Sequence, residues 1–420
     1  MHYKPPVGAE HLPTRSSDQA PAPSLRIVGI EYCIFAAVLF NFFLCFVNTN
    51  VANLSTSYVV AGEVMILSSS LLLVLRAGAP GITAWMGFLY GLVAWWLILC
   101  VLRQQIEPKI VRDVAIIPIF IMLGLSCRRG EIGPMLIRLQ AVVLAVMLFE
   151  TISPERFSGL FNVMRYYVDT RGFEEASFWN GDSDLFVSAT RPGERFFPFF
   201  GAHRLSSVFL EPVSLGNYVI IITIALVAFR DRMSRHVFWL LATSDVVLLF
   251  GCDGRLAFGI CLAVIGAAPL LSRIRWIRPA ALLPIVMAVA LATWLASGET
   301  AGQDNLGGRI GVTFEFLASL DLGDLFGLSV AKLPNSLDSG LTYTIISQSL
   351  AGATAIWCFL FSRRFEGEIG RRMAYGAAIY LAGTMMVSYS LYSIKTASLF
   401  WVLFGVTLRM RFASELSIKR

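Results

Sequence analysis

One stretch of the chain gathers residue types that grip phosphate and move protons. It reads His203-Arg204-Leu205-Ser206-Ser207-Val208-Phe209-Leu210-Glu211-Pro212, followed by Gly216 and Asn217. An arginine, a hydroxyl pair and a carboxylate converge there, just ahead of a long apolar run. Two further arginines stand in comparable places: Arg255 in Cys252-Asp253-Gly254-Arg255, between two apolar runs, and Arg309 after Gly307-Gly308. A second carboxylate, Asp338, sits in Asn335-Ser336-Leu337-Asp338-Ser339-Gly340-Leu341 before another such run. Guanidinium forks bind phosphate bidentately and keep their charge. A diphosphate leaving group needs such clamps, which can stand in for a metal. A carboxylate beside an acceptor hydroxyl can act as general base, worth roughly 10²–10⁴ in rate. Together these residues fit transfer of a group from a lipid diphosphate to a hydroxyl, with neither nucleotide nor metal.

Ordinary structural roles compete at each position. Proline suits a first helical turn and Glu complements the helix dipole there, so Glu211-Pro212 reads equally as a helix start. Arg204 gains nothing from that position. Arg255 has a ready partner in Asp253, and Asp338 or Ser339 reads equally as an N-cap. Gly181-Asp182-Ser183-Asp184 has the D-x-D spacing that nucleotide-sugar transferases use to hold a metal, but nucleotide sugars are absent outside the cytoplasm and a turn is the favoured reading. Walker A and G-x-G-x-x-G patterns are absent, so nothing points to ATP or a dinucleotide. The histidines His2, His11, His203 and His236 are scattered and make no metal site. Seven cysteines (Cys33, Cys45, Cys100, Cys127, Cys252, Cys261 and Cys358) lie in or beside apolar runs, which implies no disulfide framework.

The elements that must position these residues follow from composition. Of 420 residues, 56% are hydrophobic and 15% charged, with a mean hydropathy of +0.68. A soluble chain carries about 25% charged residues, so this one cannot cover itself in water. A soluble enzyme, a disordered scaffold and a fibre are excluded. Apolar runs fall at about 27–48, 57–75, 82–102, 110–126, 135–152, 213–229, 237–251, 256–271, 280–297, 341–362, 374–392 and 396–410. They predict an all-α polytopic membrane protein of about 12 transmembrane helices. The first run is too long, and lacks the cleavage site, of a removed signal. Residues 1–26 read as a flexible cytoplasmic tail and 27–420 as a single transmembrane domain.

With the N-terminus inside, 21 of the 34 basic residues fall in cytoplasmic connections against seven acids. The formal charge of +6 is then a topology signal, and nucleic acid drops out. The N- and C-termini are cytoplasmic in this reading, and two large loops, 151–212 and 298–340, lie outside. Phe157, Leu160, Phe161, Met164 and Val168 fall at helical spacing in the first loop, with Arg156 and Arg165 off the stripe. They predict a short helix, either in the membrane interface or packed on the bundle. Ile310, Phe314, Leu317 and Leu320 form a similar stripe in the second. Glu31, Glu63 and Asp245 fall inside spans, where acids usually face the interior and pair.

The order Arg204-Leu-Ser-Ser-Val-Phe-Leu-Glu-Pro with Gly216-Asn217, then Arg255, Arg309, Gly327, Asp338-Ser-Gly-Leu and Gly352, resembles the O-antigen ligase/polymerase superfamily. Within it the pattern is similar to the Wzy-type polysaccharide polymerases, including xanthan-like exopolysaccharide polymerases. The resemblance implies a fold related to the C-type (GT-C) glycosyltransferases, with two large periplasmic loops carrying short helices. It implies a bacterial inner-membrane glycosyltransferase whose active site faces the periplasm. That enzyme moves a growing glycan from undecaprenyl diphosphate to a hydroxyl of the next lipid-linked repeat unit, without a cofactor. Its partners are undecaprenyl-diphosphate-linked oligosaccharides and the bilayer, with a chain-length regulator and a flippase of the same pathway. By the same resemblance Arg204, Arg255, Arg309 and Ser207 bind diphosphate or sugar. Asp338 falls where the ligases carry a histidine and the polymerases commonly an acid, which makes it the first choice for general base, with Glu211 the second. The turn reads Asp-Gly-Arg where the family usually has Ser-Arg. An O-antigen ligase and a lipid-linked glycan transporter or flippase are the alternatives.

Overall fold

The computed structural model describes residues 25–127, 132–173, 183–190, 195–197, 201, 203–274, 277–303, 305–336, 339–363 and 365–418. The tail up to residue 24, Asp182 of the D-x-D triplet and Asp338 lie outside them. Among the described residues there is no strand. The first seven helices are α1 (Leu25–Asn50), α2 (Thr56–Ala77), α3 (Ile82–Arg103), α4 (Pro108–Ser126), α5 (Ile132–Ile152), α6 (Pro154–Leu160) and α7 (Val163–Arg171). Then come α8 (Pro212–Phe229), α9 (Arg235–Cys252), α10 (Arg255–Arg273), α11 (Leu282–Ser297), α12 (Leu306–Ala318) and α13 (Leu322–Leu325). The last three are α14 (Gly340–Phe361), α15 (Gly367–Met385) and α16 (Ile394–Ile418).

Nine of the described helices are long and apolar enough to cross a membrane: α1, α2, α3, α5, α8, α9, α10, α11 and α14. The chain is thus an all-helical polytopic membrane protein in its composition and architecture. The other three predicted runs also form helices. α15 covers Gly367–Met385, not 374–392: it starts earlier, through Glu368, Arg371 and Arg372, and a turn at Met386–Tyr389 ends it. α4 and α16 are the innermost pair. Every residue is buried from Ile116 to Ser126 in α4 and from Ile394 to Thr407 in α16. By contrast α11 fully buries only Leu282 and Ala290; Leu283, Val286 and Met287 pack partly on the core, and Ile285, Val289, Leu291 and Leu295 are exposed.

Close approach makes the α4–α16 contact possible. A Cβ on Gly124 would lie 2.1 Å from the Val402 carbonyl oxygen, and one on Gly405 would lie 2.1 Å from that of Ile121. Between apolar helices there is little hydrophobic gain to be had in lipid, so close packing of small residues supplies the contact energy.

α14 is broken in its interior. Ser349 adopts φ 66°, ψ 164°, which interrupts the hydrogen-bond ladder. The freed carbonyls find donors elsewhere: Arg103 Nη2 donates to Ile346 and Ser347 at 2.9 Å each, and Trp95 Nε1 donates to Gln348 at 2.7 Å. Arg103 Nε also donates to Gly327 of the second long loop. Irregular backbone within a bundle persists only where side chains satisfy it in this way.

In the first long loop the predicted stripe becomes two short helices, α6 and α7, packed on the bundle. Asn162 divides them, and its side chain caps α7 by accepting from the Arg165 N–H at 2.9 Å. Phe157, Phe161, Tyr166 and Tyr167 are buried, whereas Leu160 of the stripe stays 39% exposed. In the second loop Ile310, Phe314 and Leu317 of α12, with Leu320 beyond it, pack against the core as their spacing predicts. Of the acids inside spans, Glu31 pairs with Arg138 at 2.6 Å and Glu63 pairs with Arg112. Asp245 accepts from Thr223 at 2.9 Å in the bundle interior.

Replacing Gly405 by valine is expected to cost about 3 kcal/mol or more, because neither backbone can retreat. Thermal unfolding in detergent checks it. An unchanged midpoint would mean that α4 and α16 are not in backbone contact.

Candidate functional site

The segment from His203 to Glu211 is fastened at both ends by buried charge. At its start, the Glu150 carboxylate, fully buried in the last turn of α5, accepts from the Ser206 N–H, the Ser206 hydroxyl and the Ser207 N–H at 2.7–3.1 Å. His203 Nε2 stands 3.5 Å from the same carboxylate. Ser207 and Leu210 take φ of 50° and 63°, a region that non-glycine residues enter only when their surroundings impose it. At its end, Glu211 pairs with Lys395 of α16 at 3.2 Å and accepts from Ser214 Oγ at 2.7 Å and from the Tyr167 hydroxyl. Lys395 also donates to the Phe209 carbonyl at 2.9 Å.

Held in this way, the segment forms one wall of a cavity of about 790 Å³ where the two long loops meet. Arg204, Arg255 and Arg309, a hundred residues apart in sequence, all line it, and so does Arg195. Asn217, Asn305, Thr384 and Ser388 add polar lining. Three helix starts open onto the same space, through Pro212 of α8, Arg255 of α10 and Leu306 of α12. Helix N-termini carry partial positive charge and unpaired N–H groups, so they attract anions. Arg255 opens α10, so its guanidinium stands beside that helix N-terminus. Gly216 sets the spacing: a Cβ there would come within 3.2 Å of Ala257, so α8 and α10 meet closely at the cavity floor.

The arginines are not equivalent. Arg204 donates to the carbonyls of Ser188, Cys252 and Asp253 at 3.1–3.3 Å, which ties both walls together. Burial lowers its pKa from the ordinary arginine value; Cys252 and Asp253 oppose that, and the nearby Arg309 and Arg195 add to it. Arg195 donates to the Gly201 carbonyl, while its Nε and Nη2 are buried without a hydrogen-bond partner among the described residues. Arg255 and Arg309 are exposed to the cavity mouth. Asp253 turns its carboxylate to the N–H groups of Phe197 and Phe196, at 2.7 and 3.2 Å.

Two residues predicted for the site stand apart from the cavity lining. Ser207 is fully buried and donates to the Val143 carbonyl at 2.6 Å. Glu211 lies behind Pro212 in its ion pair. Burial would raise its pKa, but Lys395, Arg171, Ser214 and Tyr167 together outweigh burial and hold it at about 2. Engaged by Lys395, Ser214 and Tyr167 outside the cavity lining, Glu211 anchors the start of α8. Asp338 lies outside the described residues. Sequence reasoning missed Arg195, Glu150, Lys395 and Tyr167. Glu150 and Lys395 did carry a signal, since each is a charge at the loop-bearing end of an apolar helix.

Removing one partner of the Glu211–Lys395 pair leaves a buried charge alone, so Glu211→Gln is expected to destabilise the protein by about 3 kcal/mol. The Glu211→Gln/Lys395→Met variant should recover part of that loss. A carboxyl depressed to about 2 stabilises fully above its ordinary value of 4.5. That contribution is lost as pH falls from there through about 2. Wild type should therefore lose thermal stability steeply over that window, and Glu211→Gln should lose less; parallel curves would contradict the assignment. Among the described residues no three His, Cys, Asp or Glu side chains are grouped to hold a metal. Comparison of the chain with family models, curated proteins and solved structures finds no match.

Proposed function

We propose that the protein polymerises lipid-linked oligosaccharide repeat units, with the arginine-lined cavity as its diphosphate site. One observation carries this reading: four arginines and three helix N-termini converge on one cavity of about 790 Å³. That volume suits a sugar diphosphate. So many like charges around one space are stabilised by an anion of two or more charges, and guanidinium forks match phosphate oxygens. Helix-end dipoles and arginines together can offset the charge that develops on a departing diphosphate. The reading needs neither nucleotide nor metal.

In this reading the donor is the growing glycan on undecaprenyl diphosphate. A hydroxyl oxygen of the next repeat unit attacks the anomeric carbon, and a glycosidic bond forms. The bond from that carbon to the diphosphate oxygen breaks, its electron pair leaving with undecaprenyl diphosphate. The hydroxyl proton passes to a carboxylate, for which Asp338 is the first choice. Its neighbour Gly340 donates its N–H to the Ser388 carbonyl at 3.1 Å, and Ser388 lines the cavity. Arg204 braces the walls, while Arg255 and Arg309 bind the diphosphate. Twelve spans in a bacterial inner membrane, both termini in the cytoplasm, a C-type transferase relationship and a periplasmic cavity belong to the same proposal.

The break in α14 favours a second reading, transport of a lipid-linked glycan. Discontinuous helices are a frequent device of transporters, and the Gln348 side chain beside the break is buried with its amide unpartnered among the described residues. One assay separates the two readings. Purified wild type given short synthetic polyprenyl-diphosphate repeat units should yield a ladder of polymer without nucleotide. Arg255→Ala, Arg309→Ala and Asp338→Asn should each lower the rate by roughly 10²–10³. Wild type that makes no ladder but moves the lipid across vesicles supports transport. Variants that make the wild-type ladder would refute the site.

A further inference from the structure

A second group of cations lies on the far side of one cavity wall. Lys109, in the first turn of α4, sets its ammonium 5.6 Å from the ring centres of both Tyr343 and Tyr389. Arg171, the last residue of α7, stands with its guanidinium 5.0 Å from the ring of Tyr167. The two cations are near enough to feel each other's charge. The carboxylates around them are already engaged: Arg112 pairs with Glu63 and with Asp113, and Lys395 pairs with Glu211. Asp113 also accepts from the Tyr343 hydroxyl. Among the described residues Lys109 and Arg171 have aromatic faces but no ion pair or hydrogen bond at contact distance, although the charges of Asp113 and Glu63 reach Lys109 and that of Glu211 reaches Arg171. Cations over aromatic rings keep some of their attraction for an anion, since the ring supplies only about 0.5–2 kcal/mol.

The chain itself ties this group to the cavity. Val387 and Ser388 line the arginine cavity, and the next residue, Tyr389, faces Lys109. The Met386–Tyr389 turn thus lies between the arginine cavity and the Lys109–Arg171 group. Resting on the reading above, the reaction supplies a reason for two. Donor and acceptor each carry a diphosphate, and the acceptor's lies a whole repeat unit away from its reacting hydroxyl. One anion site cannot hold both.

We propose that Lys109 and Arg171, framed by Tyr167, Tyr343 and Tyr389, form a second anion site that takes a phosphate or diphosphate group, the headgroup of the acceptor lipid. Equilibrium dialysis of the full chain in nanodiscs tests it, with farnesyl diphosphate and inorganic pyrophosphate as probes. Wild type should bind two farnesyl diphosphates. Lys109→Met/Arg171→Met should bind one, the affinity of the lost site falling at least tenfold, and Arg255→Met/Arg309→Met should retain the other. The charge-conserving Lys109→Arg/Arg171→Lys should bind two, which separates lost charge from lost folding. One farnesyl diphosphate in wild type, or two in Lys109→Met/Arg171→Met, overturns the proposal, as does failure of the charge-conserving variant to bind two. Pyrophosphate that displaces both lipids assigns recognition to the anion. Displacement of only one, with two lipids bound, assigns the second site to the lipid headgroup. Polymer is not read, so this site stands or falls apart from the polymerase reading.

Discussion

A charge buried among apolar helices must be paired, and the Glu211–Lys395 ion pair is where this constraint shapes the protein most. Lys395 is 1% exposed and enters the bundle in the first turn of α16, the innermost helix with α4. Its pairing with Glu211 sets the start of α8, and its bond to Phe209 sets the loop before it. Glu150 fixes the other end of that loop from α5. Buried pairs of this kind add little net stability over apolar substitutes, but removing one partner is expensive, so they hold a geometry. The geometry held here is the wall that carries Arg204.

The cavity inverts that rule. Around Glu211 opposite charges meet; the cavity gathers Arg195, Arg204, Arg255 and Arg309 with the single carboxylate Asp253 among its described lining residues, together with the positive ends of α8, α10 and α12. Arg204 is bound by three carbonyls and two nitrogens of Arg195 lack partners among the described residues. Such an arrangement raises the energy of the empty cavity and lowers that of the anion-filled one. In the proposed reaction, preorganised charge of this sort would need no rearrangement as the diphosphate leaves.

Much of the frame was legible because lipid demands long apolar runs. All twelve predicted runs became helices, and three of the arginines singled out by type and spacing, Arg204, Arg255 and Arg309, line one cavity. α15 was displaced because Glu368, Arg371 and Arg372 lie in its first turns, where a hydropathy pattern sees a boundary. Ser207 and Glu211 were grouped with the arginines by adjacency in the chain. In space, left-handed backbone at Ser207 and Leu210 turns the segment, so the carboxylate faces α16 and Arg204 faces the cavity. Arg195 could not be told from other loop arginines, since only tertiary packing leaves two of its guanidinium nitrogens without partners among the described residues. The break at Ser349 has no sequence signal such as proline; its partners Arg103 and Trp95 are more than two hundred residues away.

The central claim is that the arginine cavity holds a lipid diphosphate. An experimental structure of the protein in nanodiscs with a non-transferable polyprenyl-diphosphate sugar tests it most directly. The diphosphate should lie between Arg255 and Arg309, within hydrogen-bond reach of at least one guanidinium and facing the starts of α8 and α10. A diphosphate bound instead at the break in α14 beside Gln348, with the arginine cavity holding none, would contradict it.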